Sequence, residues 1–141
     1  MKCLTKRSVV DSMDMSTCEI TSTARRLWNT NGFCDIATSI LGTKYELSIV
    51  LIGDARSRSL NKSCRGKDTP TNVLSFPLTS HVGEIYLNVA QISREARKFG
   101  LTPTGHSKYL LIHGCLHLKG YTHGSTMEKA EQRFLHDYNI R

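Results

Sequence analysis

Residues 113–123 have the sequence HGCLHLKGYTH, with three histidines and a glycine between the second and third. Histidines four residues apart on a helix lie on one face, so His113 and His117 can offer two ring nitrogens to one metal ion. Gly120 allows the backbone to leave the helix in a left-handed conformation and to bring His123 back toward this pair. The stretch therefore predicts a metal site with three protein ligands and one open position.

His113 and His117 alone could be a packed pair of core histidines. The spacing of the third histidine, His123, instead favours a set of metal ligands. The pattern H-x-x-x-H-x-x-G-x-x-H is that of the metzincin proteases, which favours metal binding. In those proteases a glutamate directly follows the first histidine and acts as general base, whereas this chain has Gly114. Because glycine in mid-helix costs roughly 1 kcal/mol relative to alanine, Gly114 indicates that substrate or a close backbone needs room there.

The composition is that of a folded soluble domain. The chain has 141 residues, of which 39% are hydrophobic and 22% charged, and we expect a single domain over residues 1–141. No apolar run is long enough to span a bilayer and the N-terminus lacks a secretory signal, so we expect a cytoplasmic protein without membrane association. The five scattered cysteines form no Cys-x-x-Cys pair, and we expect all of them to be reduced.

The formal net charge of +7 indicates an anionic partner or a surface kept basic for solubility. Five basic residues cluster between two predicted strands: Arg56, Arg58, Lys62, Arg65 and Lys67. Such a cluster suits phosphate groups, as in nucleic acid. A solvated basic face without a ligand explains the same pattern, and the charge alone does not separate the two interpretations.

Hydrophobic periodicity predicts an α+β domain with a small mixed sheet of about four strands and about five helices. Strands are predicted at residues 8–10, 45–52, 72–77 and 84–87. From Thr21 to about Ile40 the sequence predicts either two helices or one broken helix. Further helices are predicted over 57–62, over 89–99 after an Asn88 cap, from about His106 through residues 113–117, and over 126–138. The fourth helix is thus zincin-like and carries the metal ligands. Residues 1–17 show little periodicity, which indicates the least order there.

Two motifs resemble a known family. The stretch 113–123 resembles the signature of the YbeY family of metal-dependent endoribonucleases and rRNA maturation factors. Residues 60–77, LNKSCRGKDTPTNVLSFP, resemble its other motif, an Asn, an Arg in a basic loop, then Pro-Thr-Asp/Asn-Val-Leu-Ser-Phe. Gly83-Glu84-Ile85 stands where the family usually has Gly-Asp-Ile, and Thr122 where it usually has Asp. The resemblance covers about residue 45 to the end.

This resemblance implies one Zn²⁺ ion held by His113, His117 and His123. It also implies cleavage of single-stranded RNA in rRNA maturation and ribosome quality control, with rRNA precursors and the ribosome as partners. The family arginine matches Arg65, whose guanidinium can hold a phosphate and stabilise charge during cleavage. Lys67, in the same basic segment, is a further candidate for substrate binding. Thr122 removes a possible carboxylate partner of a ligand histidine.

Two other functions remain open at this point. One is a metal-dependent hydrolase of another substrate, including a metzincin-like peptidase that recruits its base from elsewhere. The other is a non-catalytic RNA-binding ribosome assembly factor in which the zinc is structural. His81 and His136 have no partner histidine at ligand spacing and are expected at the surface, while Cys115 is expected to point into the core.

Overall fold

The computed structural model describes residues 17–25 and 28–140, which form one four-stranded sheet and five helices. The strands are β1 (Cys18–Ser22), β2 (Glu46–Ile52), β3 (Val73–Thr79) and β4 (Val82–Asn88). The helices are α1 (Phe33–Leu41), α2 (Asp54–Arg65), α3 (Val89–Phe99), α4 (Pro103–Leu118) and α5 (Ser125–Asp137). The strand order is β1-β2-β4-β3, in which β3 alone runs antiparallel to its neighbour. The predicted α+β fold with a mixed sheet is confirmed.

The strand β2 is buried on both faces because helices cover both sides of the sheet. One face of β2 supplies Leu47, Ile49 and Leu51 to the main core, against residues of α1 and α4. The opposite face carries a smaller cluster: Ile52, Leu60, Leu74 and Tyr86. This two-sided burial explains why β2 ends in a continuous apolar run over residues 49–52, after a first half in which Glu46 and Ser48 alternate with apolar residues.

Capping residues fix the starts of α3 and of α4, the helix that carries His113 and His117. The Asn88 side chain accepts hydrogen bonds from the backbone N–H groups of Ala90 and Gln91, as expected for an N-cap of α3. The Thr102 hydroxyl accepts from Gly105 N at 3.0 Å, and Pro103 occupies the first turn of α4. The helix α4 therefore begins three residues before the predicted start at His106. It carries Cys115 into the core, where the residue is fully buried.

Three expectations for the first half of the chain are wrong. Thr21, predicted to begin a helix, lies in β1, and α1 begins only at Phe33. A disulfide bond joins Cys18 to Cys34, so these two cysteines are not reduced as expected. The helix α2 is longer than the predicted segment 57–62 and ends at Arg65, which is therefore helical and not in a loop.

Two further features complete the fold. The predicted strand at residues 8–10 lies outside the described residues, and so does most of segment 1–17. Within the part of the chain that is described, no helix has the length and apolar character needed to cross a membrane.

Candidate metal centre

The three histidines come together at the end of α4. His113 and His117 lie one turn apart on the last turns of this helix. Gly120 follows with a φ of 107°, and Tyr121 N donates to Leu116 O at 3.0 Å, which turns the chain back. As a result, one ring nitrogen from each of His113, His117 and His123 lies within 4.8 Å of the others. The structure brings the predicted ligands into one cluster.

The hydrogen bonds of two rings fix which nitrogens face the cluster. His113 Nδ1 lies 3.2 Å from Glu131 Oε1, and His117 Nδ1 lies 3.1 Å from the carbonyl oxygen of Tyr121. Both oxygens accept hydrogen bonds, so each neutral imidazole carries its proton on Nδ1 and donates it. The Nε2 atoms of both rings are then unprotonated and present lone pairs to the centre of the cluster.

This arrangement fits a bound cation. The two Nε2 atoms lie 3.2 Å apart, and two lone pairs at that separation repel each other. A divalent ion between the rings removes the repulsion, and three neutral imidazoles are a donor set typical of an open zinc site. Desolvation by burial, and next the neighbouring His113, lower the pKa of His117, which favours its neutral, ligating form.

Glu131 on α5 is the main partner that the sequence reasoning missed. It is only 6% exposed, and its carboxylate lies against His113 on the side away from the cluster. Burial, and next a hydrogen bond to Glu131, raise the pKa of Tyr109 to about 12. One signal was present in the sequence, because residue 131 falls within the apolar stripe of α5 next to Met127 and Ala130, where a charged residue is unusual.

A cavity of about 430 Å³ opens between the metal cluster on α4 and the edge strand β3. Its lining residues, in chain order, are Arg65, Thr71–Pro77, His113, Gly114, His117 and His123. Arg65 reaches this cavity from the C-terminus of α2. Lys67 is exposed and does not line it. The volume falls in the range of small-molecule binding sites.

Arg65 differs from Arg58, on the same helix, in having no ion-pair partner among the described residues. Arg58 donates two hydrogen bonds to the carboxylate of Asp68, at 2.8 and 3.0 Å. Among the described residues, Arg65 forms no such ion pair. Only some of the predicted basic cluster is therefore available for an anion, and Arg65 is the member that lies beside the histidines.

A second buried network holds one wall of the cavity. The Asn72 side-chain amide donates to both oxygens of Glu95, at 2.8 and 3.3 Å. The same carboxylate lies 3.2 Å from Nε2 of His106, which is 5% exposed. These contacts fix the orientation of the Asn72 amide at the cavity wall. Only the Asn72 motif, not its partners, was evident from the sequence.

Gly114 permits close packing of α4 on the sheet. A Cβ atom at this position would lie 3.1 Å from Cδ1 of Ile85, a fully buried residue of β4. The space beside Gly114 that the sequence indicated is thus filled at least partly by the Ile85 side chain in the core. Gly114 also lines the cavity.

The fold and the histidine cluster define a zincin-like α+β domain, and comparisons with known proteins identify its family. The family model described as Endoribonuclease YbeY matches residues 12–139. Endoribonuclease YbeY of Neorickettsia sennetsu is 42% identical over 105 residues, which cover 67% of this chain and 73% of that protein. Endoribonuclease YbeY of Stutzerimonas stutzeri is 35% identical over 126 residues, covering 84% of this chain and 79% of that protein.

A solved structure agrees with this result. The solution structure of TM1509 from Thermotoga maritima has a TM-score of 0.64 and 25% identity, and the match covers 86% of this chain and 91% of that one. The chain belongs to the YbeY family of endoribonucleases. The resemblance noted in the two sequence motifs is confirmed.

Proposed function

We propose that this chain is a zinc-dependent endoribonuclease that cleaves single-stranded RNA during rRNA maturation and ribosome quality control in the cytoplasm. We assign residues 1–141 to one endoribonuclease domain as part of this proposal. The observation that carries the proposal is the cavity lined by three imidazole rings and by Arg65, which has no ion-pair partner among the described residues. The relatives named Endoribonuclease YbeY support RNA as the substrate class.

In this proposal His113, His117 and His123 hold one Zn²⁺ ion. When bound, such an ion supplies Lewis-acid activation at the scissile phosphate. Glu131 and the Tyr121 carbonyl keep the imidazoles of His113 and His117 in the orientation that directs Nε2 toward the ion. Two of the three ligands are therefore preorganised by hydrogen bonds within the chain.

Arg65 binds the phosphate of the cleaved segment. Its guanidinium can donate two parallel hydrogen bonds to phosphate oxygens and stabilise the negative charge that builds up during cleavage. Lys67 is exposed outside the cavity, so its contribution is longer-range attraction of RNA. Asn72, held by Glu95, offers a fixed polar group at the wall opposite the histidines.

The lining of the cavity favours a phosphodiester over a peptide. None of the described residues that line it is Asp or Glu, and Gly114 takes the place of the metzincin base. Arg65 is the one Lys or Arg among these described lining residues, and its guanidinium is cationic. Because an anionic substrate gains from this cation and a neutral peptide does not, the peptidase alternative is disfavoured.

A comparison of substrates and variants tests the proposal. Metal-loaded full-length protein is incubated with labelled single-stranded RNA and with casein, with and without a chelator. We expect chelator-sensitive cleavage of RNA alone, and loss of both bound zinc and cleavage in His113→Ala. His136→Ala, at an exposed position of α5, is the matched control and should retain both.

Other outcomes of this experiment select the alternatives. Cleavage of casein by the metal-loaded protein would identify a peptidase. Two results together would identify an assembly factor with structural metal. The protein would bind RNA without cleaving it, and removal of zinc would only unfold the protein. Retention of zinc and activity in His113→Ala would contradict the assignment of the metal centre.

A further inference from the structure

A second cavity, of about 390 Å³, lies at the carboxyl ends of β1 and β2 and shares no lining residue with the histidine cavity. Its walls come from the segment after β1, from Gly53 after β2, and from the first turns of α3. Three arginines line it: Arg25, Arg94 and Arg97. The carboxyl edge of parallel strands is where ligands usually bind in open α/β sheets.

The three arginines leave an excess of positive charge at this cavity. Arg94 donates two hydrogen bonds to the Asp54 carboxylate, at 2.8 and 3.0 Å, so its charge is compensated. Arg25 and Arg97 are exposed, and neither forms an ion pair with any described residue. The guanidinium groups of Arg25 and Arg97, which come from separate elements, therefore line the same cavity without an ion-pair partner among the described residues.

Two polar features of α3 add to this positive potential. The helix begins at Val89 in the cavity wall, so the positive end of its dipole lies there. The hydroxyl oxygen of Ser93, one turn further, is buried and has no hydrogen-bond partner in the described chain. Ser93 therefore adds a polar side chain to the cavity wall.

We propose that this second cavity binds phosphodiester groups of the RNA strand outside the cleaved segment. The inference rests on the proposed function, since it assigns an anchoring subsite to the same substrate. Guanidinium groups presented by two different elements can contact successive phosphates of one flexible strand, which supports an RNA strand as the occupant. The subsite increases affinity for long RNA and leaves the chemistry at the histidines unchanged.

The test compares Arg25→Ala/Arg97→Ala with the wild-type full-length protein. Removal of two phosphate contacts should weaken binding of a long single-stranded RNA by about tenfold at low salt and reduce the magnitude of the salt slope by roughly 1.4. For metal-loaded enzyme, KM for long RNA should rise while kcat is unchanged, and both constants for a short RNA should be unaffected. Lys44→Ala/Lys129→Ala removes the same charge from exposed positions outside this cavity and should change little.

Further measurements keep this result interpretable. Arg25→Lys/Arg97→Lys retains the charges and should recover most of the affinity, and thermal melting shows whether each variant is folded. Binding of long RNA is also measured by fluorescence anisotropy with the metal chelated, so the subsite can be assessed even if no RNA is cleaved. Equal affinity and salt slope in wild type and Arg25→Ala/Arg97→Ala would overturn the inference. Competition by a free mononucleotide as effective as by RNA would overturn the assignment to an RNA strand.

Discussion

The Nδ1 atom of His113 and the Oε1 atom of Glu131 lie 3.2 Å apart, with the carboxylate buried between α4 and α5. This contact fixes both the orientation and the tautomer of a candidate metal ligand. We expect Glu131→Ala to weaken Zn²⁺ binding by about 10–100-fold, as is typical when such a partner is lost. Glu131→Gln should lie between this variant and the wild type, because an amide oxygen still accepts the hydrogen bond but carries no charge.

Metal affinity is measured by competition with a chromophoric chelator, and the absorption spectrum of bound Co²⁺ reports ligand geometry. Glu128→Gln, an exposed position on the same helix, is the control and should bind metal as the wild type does. Thermal melting of the metal-free proteins separates a loss of stability from a loss of ligand orientation. Unchanged zinc affinity in Glu131→Ala would show that the carboxylate serves only the packing of α5.

Arg65→Ala should reduce turnover on RNA without loss of metal. The guanidinium lines the cavity but contacts none of the three histidines, so the cluster should stay intact. Removal of a group that stabilises developing charge costs about 10²–10³ in kcat. Arg56→Ala, near the start of the same helix, is the control. Loss of zinc in Arg65→Ala would instead assign a structural role to Arg65.

Gly114→Ala should destabilise the protein although alanine is the better helix former. Alanine gains about 1 kcal/mol over glycine in a helix, but overpacking a core costs about 1–3 kcal/mol. Because Ile85 is fully buried, a shift that relieves this contact must disturb its packing, and we expect a net loss of about 1 kcal/mol in the free energy of unfolding.

Chemical denaturation measures this loss, and the Ile85→Val background tests its cause. Valine lacks the Cδ1 atom that lies 3.1 Å from the added Cβ, so Gly114→Ala should be neutral or stabilising in that background. An equal loss in both backgrounds would mean that the contact with Ile85 is not the reason.

The metal stretch and β2 were predictable because their patterns are local. Ligand spacing on a helix and a turn at Gly120 are set within eleven residues, and β2 ends in a continuous apolar run over residues 49–52. By contrast, β1 is a short edge strand that pairs in parallel with residues 47–51, far along the chain, and its sequence alternates only weakly. The disulfide between Cys18 and Cys34 depends on the docking of α1 beside β1, so no spacing rule indicates it.

The same distinction applies to the site. His113 and Glu131 are 18 residues apart on two helices, and their contact depends on how α5 packs on α4. The position of Arg65 in the cavity depends on α2 extending to that residue. The sequence therefore predicted the three histidines that the structure brings into one cluster, while the contact with Glu131 and the place of Arg65 beside that cluster required the tertiary structure.

The ion pair between Asp54 and Arg94 predicts a dependence of stability on pH. Hydrogen bonds from Arg94, and next from Asn88, lower the pKa of Asp54. A carboxyl group with a lowered pKa stabilises the folded protein at pH values above its ordinary range, near 4, and loses this contribution as the pH falls through the lower folded value. Because the side chains are 54% and 42% exposed, solvent screens the pair, and we expect less than about 1 kcal/mol.

Melting temperatures of wild type and Asp54→Asn from neutral to strongly acidic pH measure this contribution. The wild type should be slightly more stable at neutral pH, and the difference should disappear as the pH falls through the lowered pKa of Asp54, because the folded carboxyl group is then protonated. Asp68→Asn removes the carboxylate from the exposed ion pair with Arg58, and it provides the same comparison at a second surface ion pair. A difference that persists in acid would show that the Asp54→Asn substitution disturbs packing and that the charge of the carboxylate is not responsible.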